Sequence, residues 1–184
     1  MSTERRNLWL AIAAVALGQA AVLGWMIWDR TSLLANGREV VLDVAPVDPR
    51  SLFRGDYVVL DYDIARFELP QGTVAPAKNA PFYVKLKKGA DGAWATSGGS
   101  AGWPESVAPD EVVIAGRVDR VSGGTVRVHY GIESFFVPEG TGREIEQMVG
   151  DRKISALIAI GSGGQAAIKG LMSDGQRVYD EPLL

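Results

Sequence analysis

The first pattern along the chain is a run of 21 residues without a charge, Leu8 to Trp28 (LWLAIAAVALGQAAVLGWMIW). At about 1.5 Å per residue a helix of that length matches the hydrocarbon thickness of a bilayer. Trp9 stands near one end and Trp25 and Trp28 near the other, where aromatic side chains favour the membrane interfaces. Arg5 and Arg6 precede the run, whereas Asp29 and Arg30 nearly cancel behind it. The positive-inside rule then places residues 1–7 in the cytoplasm, 8–28 across the bilayer and 29–184 outside. Two other readings compete. Cleavage at Gly18-Gln19-Ala20, as in a signal peptide, would leave AVLGWMIW as an apolar stub in water. A buried core helix of a soluble protein is the least favoured, because this run is apolar on every face. The small-residue spacings Ala14–Gly18 and Ala16–Ala20 suit packing against another helix, or simply an alanine-rich anchor.

Behind the anchor the period changes to two. Segments 39–44, 57–64, 82–86, 111–118, 125–130, 154–160 and 166–171 are rich in β-branched and aromatic residues and read as strands. Gly89-Ala90-Asp91-Gly92 and Gly161-Ser162-Gly163-Gly164 read as hairpin turns. Thr141 with Glu144 forms a capping box, and Ile145, Met148 and Val149 share a face, so one short helix is expected there. The Gly/Ser/Ala/Pro-rich stretch from about 97 to 110 reads as a surface linker.

The sequence also matches itself. Gly55–Pro70 aligns without a gap on Gly123–Pro138, 68 positions later, with identities at Gly55/Gly123, Val58/Val126, Tyr62/Tyr130, Ile64/Ile132, Phe67/Phe135 and Pro70/Pro138. Glu39-Val40-Val41-Leu42 matches Glu111-Val112-Val113-Ile114, and Gly89 and Gly92 match Gly161 and Gly164. The reading is two tandem β-units, about 38–98 and 110–172. The expected fold is mainly β: one N-terminal transmembrane helix, then a β-barrel or β-sandwich-like domain, which hides strand edges, with one short helix. Alternation puts Val58, Leu60, Tyr62 and Ile64, and Val126, Val128, Tyr130 and Ile132, in the core. The opposite faces carry Tyr57, Val59, Asp61 and Asp63, and Arg127, His129 and Glu133, and are expected to be solvated or functional.

Composition narrows the chemistry. Without the anchor's Glu4, Arg5 and Arg6, the chain keeps 17 of its 19 basic and 21 of its 22 acidic residues. That balance offers no basic stripe for nucleic acid. There is no cysteine, which excludes disulfides, thiolate metal sites and a thiol nucleophile, and the single histidine excludes a multi-histidine metal centre within one chain. No cofactor is implied. His129 lies on a polar strand face with no partner that the sequence names, so an exposed histidine is the simpler reading than a general base. The segment Asp48-Pro49-Arg50-Ser51-Leu52-Phe53-Arg54-Gly55-Asp56 is more charged than a turn requires, and its arginines suit carboxylates or phosphates. Ser51 with Lys85, Lys87 or Lys88 invites comparison with membrane-anchored serine–lysine signal peptidases, though the serine–glycine spacing is too short and no methionine follows. Asp61 and Asp63 lack the glycine and distal glutamate of a calcium loop, and no Gly-Lys-Ser/Thr follows the glycines at 161–164.

Gly55-Asp56-Tyr57-Val58-Val59-Leu60-Asp61-Tyr62 fits G-D-Y-x-x-L-x-Y at every fixed position. With Pro46 to Arg54 before it and Tyr130 to Gly140 as a second signature, the chain resembles the bacterial GDYXXLXY family of membrane-anchored proteins. The resemblance implies an inner-membrane anchor with an extracytoplasmic domain, no established activity, and a polytopic membrane protein as partner. The first expectation is a non-enzymatic module that docks a membrane or envelope partner through the charged lip Asp48, Arg50, Arg54, Gly55 and Asp56 and the motif residues Tyr57, Leu60, Asp61 and Tyr62, with His129 and Glu133 contributing. A Ser51/lysine hydrolase and an envelope-ligand-binding module are the alternatives.

Overall fold

The computed structural model describes residues 3–45, 57–70, 72–89, 92–136, 154–173 and 175–180. The expected short helix at 141–149 and the charged segment 48–56 lie outside them. Helix α1 spans Thr3–Asn36. It is long and apolar enough to cross a membrane over Trp9–Asn36, 28 residues, or about 42 Å. It therefore outruns the uncharged run that ends at Trp28 by eight residues. Asp29 and Arg30 do not stop it because neither breaks a helix, and Leu33 and Leu34 restore an apolar face that packs on the β domain, with Leu34 buried.

Twelve strands are described: β1 Arg38–Ala45, β2 Tyr57–Val59, β3 Asp61–Tyr62, β4 Arg66–Glu68, β5 Pro81–Lys88, β6 Trp94–Ser100, β7 Glu111–Ser122, β8 Thr125–His129, β9 Ser134–Phe136, β10 Ile154–Ile160, β11 Ala166–Ser173 and β12 Gln176–Asp180. They form the sheets β12-β11-β10-β1-β3 and β4-β8-β7-β5-β6, with β2 and β9 as a third, two-stranded pair. The result is a nearly closed, barrel-like sheet. The Ala115 N–H donates to Gly164 O at 2.9 Å, tying β7 to the turn between β10 and β11.

The expected single strand over 57–64 is broken. The pairing partner switches at Leu60: its N–H still donates to Glu133 O at 2.9 Å, in line with the β2–β9 pairing, whereas Asp61 and Tyr62 pair with β1, and Asp63–Ala65 then coils into one 3-10 turn. Strand β6 takes in the first residues of the stretch read as a linker. Strands β4, β9 and β12 are additional: each is short, and none has the apolar alternation that marks a core strand.

The pairing follows the spacings of the sequence matches. Glu39 faces Ala159, while Glu111, 72 positions on from Glu39, faces Lys87, 72 positions back from Ala159. Ala45 faces Asp61 as Arg117 faces His129. Phe67 of β4 faces Val126 of β8, and Phe135 of β9 faces Val58 of β2. The two halves therefore interlock: β1 takes β10 as neighbour, and β7 takes β5. One continuous core results, with Val40, Leu42, Leu60, Tyr62 and Ile64 from the first half against Ile114, Val126, Val128, Ile132 and Ile158 from the second. Burial of each such Leu, Ile or Val side chain contributes about 1.5–3 kcal/mol.

An exposed ion pair ties the outer face. Lys169 Nζ of β11 lies 2.7 Å from Glu39 Oε1 of β1, and that hydrogen bond holds the Glu39 carboxyl below its ordinary value of 4.5. A depressed carboxylate contributes stability above its unfolded pKa and loses it as pH falls through the folded one. Because Glu39's side chain is 46% exposed, solvent screening limits the effect. Glu39→Gln should cost about 0.2–1 kcal/mol at pH 7 and nothing near pH 3, read by urea unfolding at both pH values.

Candidate functional site

The motif strand makes its contacts across the seam between the halves. Leu60 and Tyr62 point inward and are fully buried. The Tyr62 hydroxyl donates to Ile132 O at 2.9 Å, and 68 positions on the Tyr130 hydroxyl donates to Ile64 O at 2.7 Å. Each tyrosine thus closes on the backbone that follows the other one. Burial, and then the nearby Glu133 charge, push both phenols well above the ordinary value of 10, so both remain neutral donors. Leu60 and Tyr62, the closing residues of G-D-Y-x-x-L-x-Y, are therefore structural.

Asp61, between them in sequence, points to the other face, but it is not solvated as expected: it is only 9% exposed. The reason is a pair of arginines. Arg66 of β4 and Arg127 of β8 stand directly opposite each other. Two like charges in that position repel. Asp61 Oδ2 takes Arg66 Nη2 at 2.5 Å and Oδ1 takes Arg127 Nη2 at 2.9 Å, which neutralises the repulsion and covers the carboxylate. Asp63, expected beside Asp61, turns away into the 3-10 helix and is exposed.

His129 does have a partner. Its Nε2 lies 3.1 Å from Glu133 Oε2. Glu133 is brought back by Gly131, whose φ of +81° is a region that glycine enters at little cost. The same carboxylate accepts the Tyr130 N–H at 2.6 Å and the Gly131 N–H at 2.9 Å. Asp61, Arg127, His129, Glu133 and Asp119 line one cleft of about 260 Å³ beside the motif strand. A larger recess, about 570 Å³, lies away from the motif between the end of α1 and Trp103. Among the described residues, no buried side-chain polar atom lacks a partner and no cluster of three His, Asp or Glu is placed for a metal.

Asp48, Arg50, Arg54, Gly55 and Asp56 lie outside the described residues, as does Ser51, and of Tyr57 only the backbone is described. The structure brings Asp61 together with Arg127 in the cleft of His129 and Glu133, and it adds Arg66, which the sequence reading did not single out. Arg66 and Arg127 become neighbours only when the strands of the two halves interlock, so no spacing along the chain announces them. Of the lysines proposed for a dyad, Lys85 Nζ lies 3.7 Å from Glu111 and Lys87 Nζ 3.0 Å from Asp110. The hydrogen bond to Asp110 raises the Lys87 pKa, the opposite of what a lysine base needs.

Packing against β8 is tight on the β7 side. A methyl group at Gly116 of β7 would run into the Val128 side chain, the Tyr130 ring and the His129 carbonyl. Gly116→Ala is expected to cost about 1–3 kcal/mol and to shift the His129–Glu133 pair, seen as a lower Tm and displaced His129 ring resonances.

A nearly closed, barrel-like sheet behind an N-terminal helix of membrane-spanning length, with Tyr62 and Tyr130 clasping two interlocked halves, places the chain, over the described residues, among mainly β proteins with an apolar N-terminal helix. The GDYXXLXY protein family matches residues 19–171, and the chain belongs to that family. Neither the curated proteins nor the solved structures contain a match.

Proposed function

We propose that the chain is a membrane-anchored interaction module without catalytic activity of its own. In this reading α1 holds it in the bacterial inner membrane with the N-terminus in the cytoplasm and the barrel outside. The barrel docks a membrane or envelope partner through the segment Asp48–Asp56, with the cleft of Asp61, His129 and Glu133 contributing. The observation that carries the reading is a contrast. Helix α1 leaves its apolar residues bare, Trp9 at 63%, Trp25 at 69% and Trp28 at 74% exposure, whereas the polar groups beside the motif already bind one another. Surface left uncovered in that way calls for lipid. Carboxylates already held by arginines and backbone N–H groups are poorly placed for acid–base work. The matching pairings at spacings of 68 and 72 support reading the barrel as two copies of one unit.

Two measurements test this. Alkaline phosphatase fused after Leu184 should be active and a fluorescent protein there dark; the reverse pattern removes the extracytoplasmic placement. Gentle detergent extraction should recover one stoichiometric membrane protein, lost when Arg50, Arg54 and Asp56 are changed together to alanine. Labelling of Ser51 by a serine-reactive probe would instead favour the hydrolase.

A further inference from the structure

The two halves differ at one edge. Strand β11 pairs with β10 in the same register as β6 pairs with β5: Ser155↔Met172 and Ile160↔Ala166 stand 72 positions beyond Tyr83↔Ser100 and Lys88↔Trp94. Even the irregularity recurs, between Leu157 and Ile158 in one pair and between Lys85 and Leu86 in the other. On its outer edge β11 carries β12, with Leu171 opposite Tyr179. Strand β6 is the last strand of its sheet, and among the described residues no strand pairs with its outer edge. The chain that follows β6 does not supply one. It contains Pro104 and Pro109, which cannot donate to a ladder, and Trp103 instead folds over the sheet to lie edge-on against Tyr83 at 5.4 Å.

The side-chain slot matches the backbone. Tyr179 covers Phe135 edge-on at 5.2 Å, and Phe135 is buried. Phe67, 68 positions earlier, is only partly buried and reaches the rim at Gly99, where a methyl group would strike both the Phe67 and Phe82 rings. An uncharged edge strand, WATSGGS, with no lysine or proline to blunt it, is an open template for pairing.

We infer that the outer edge of β6 is a docking site for an extended segment of the partner protein. This segment adds to β6 as β12 adds to β11, and it places an aromatic side chain opposite Gly99 on the Phe67 ring. The inference rests on the interaction-module reading and names its contact. Main-chain hydrogen bonds supply the affinity and the Phe67 slot the selectivity, as in other strand-addition complexes.

The test uses the full-length chain in its own membrane, with a photo-crosslinking amino acid placed singly at Ala95, Ser97, Arg50 or Arg54. The expected result is an adduct from Ala95 and Ser97 that maps to one extended, aromatic-bearing segment of another protein. In the detergent-extracted complex, amide exchange over Trp94–Ser100 should also slow by about tenfold relative to the chain alone, towards that of Ala166–Ser173. Adducts only with a second copy would overturn the inference in favour of edge-to-edge self-pairing. Adducts at Arg50 or Arg54 with none at Ala95 or Ser97, or unchanged exchange in the complex, would overturn it while leaving the module reading intact. No adduct at any of the four positions would remove both.

Discussion

Tyr62→Ala is expected to destabilise the barrel by about 3–5 kcal/mol, the usual cost of removing a buried aromatic ring. The ring is fully buried, and its hydroxyl is the hydrogen bond from the first half to Ile132 O in the second. Tyr62→Phe keeps the ring but leaves that carbonyl unpaired, and should cost about 1–3 kcal/mol. For a domain of this size each kcal/mol lowers Tm by about 2–4 °C, so thermal unfolding of the detergent-solubilised protein separates the two variants. A Tyr62→Ala protein as stable as the parent would show that the motif tyrosine does not hold the halves together.

The second large effect lies at Asp61. Replacing Arg66 and Arg127 together by methionine strips both partners from the Asp61 carboxylate, which is 12% exposed beneath them. Because the two arginine side chains are 49% and 33% exposed, solvent screens the pairs and the cost is about 1–3 kcal/mol. Either single replacement should cost much less, because the remaining arginine still covers one oxygen. The triple variant that also carries Asp61→Leu should recover most of the loss, since an apolar trio needs no compensation. The discriminating measurement is the double-mutant cycle in urea. Strict additivity of the two arginine variants would mean that Asp61 does not couple them.

These contacts mark where the sequence could be read and where it could not. Alternation alone identified Leu60, Tyr62 and Ile64 as core, and the structure buries all three. The same alternation put Asp61 on the polar face, which is correct geometrically, yet that face is covered because two strands distant in sequence bring arginines to it. His129 lacked a visible partner because Glu133 reaches it only after the chain turns through Gly131. Strand β6 was hidden by Gly98 and Gly99. Its extended form comes from register with β5 rather than from β propensity, which is largely a measure of how a residue packs in context. Strand β12 was hidden for a related reason: Gln176 to Asp180 is mostly polar and exposed, as suits an edge. The charged segment at 48–56, which carries most of the expected docking surface, lies outside the described residues.

The interlocked pairing also sets a timetable for the chain as it emerges. Asp43 of β1 bonds through Ser155 Oγ of β10, 112 residues later. At synthesis rates of about 5–20 residues per second, β1 waits on the order of ten seconds for the strand that will flank it. During that interval the first half presents apolar strands without their partners from the second half. A nascent chain cut short before Ile154 has no β10 at all, so β1 never gains that neighbour, and such fragments are natural targets for proteolysis.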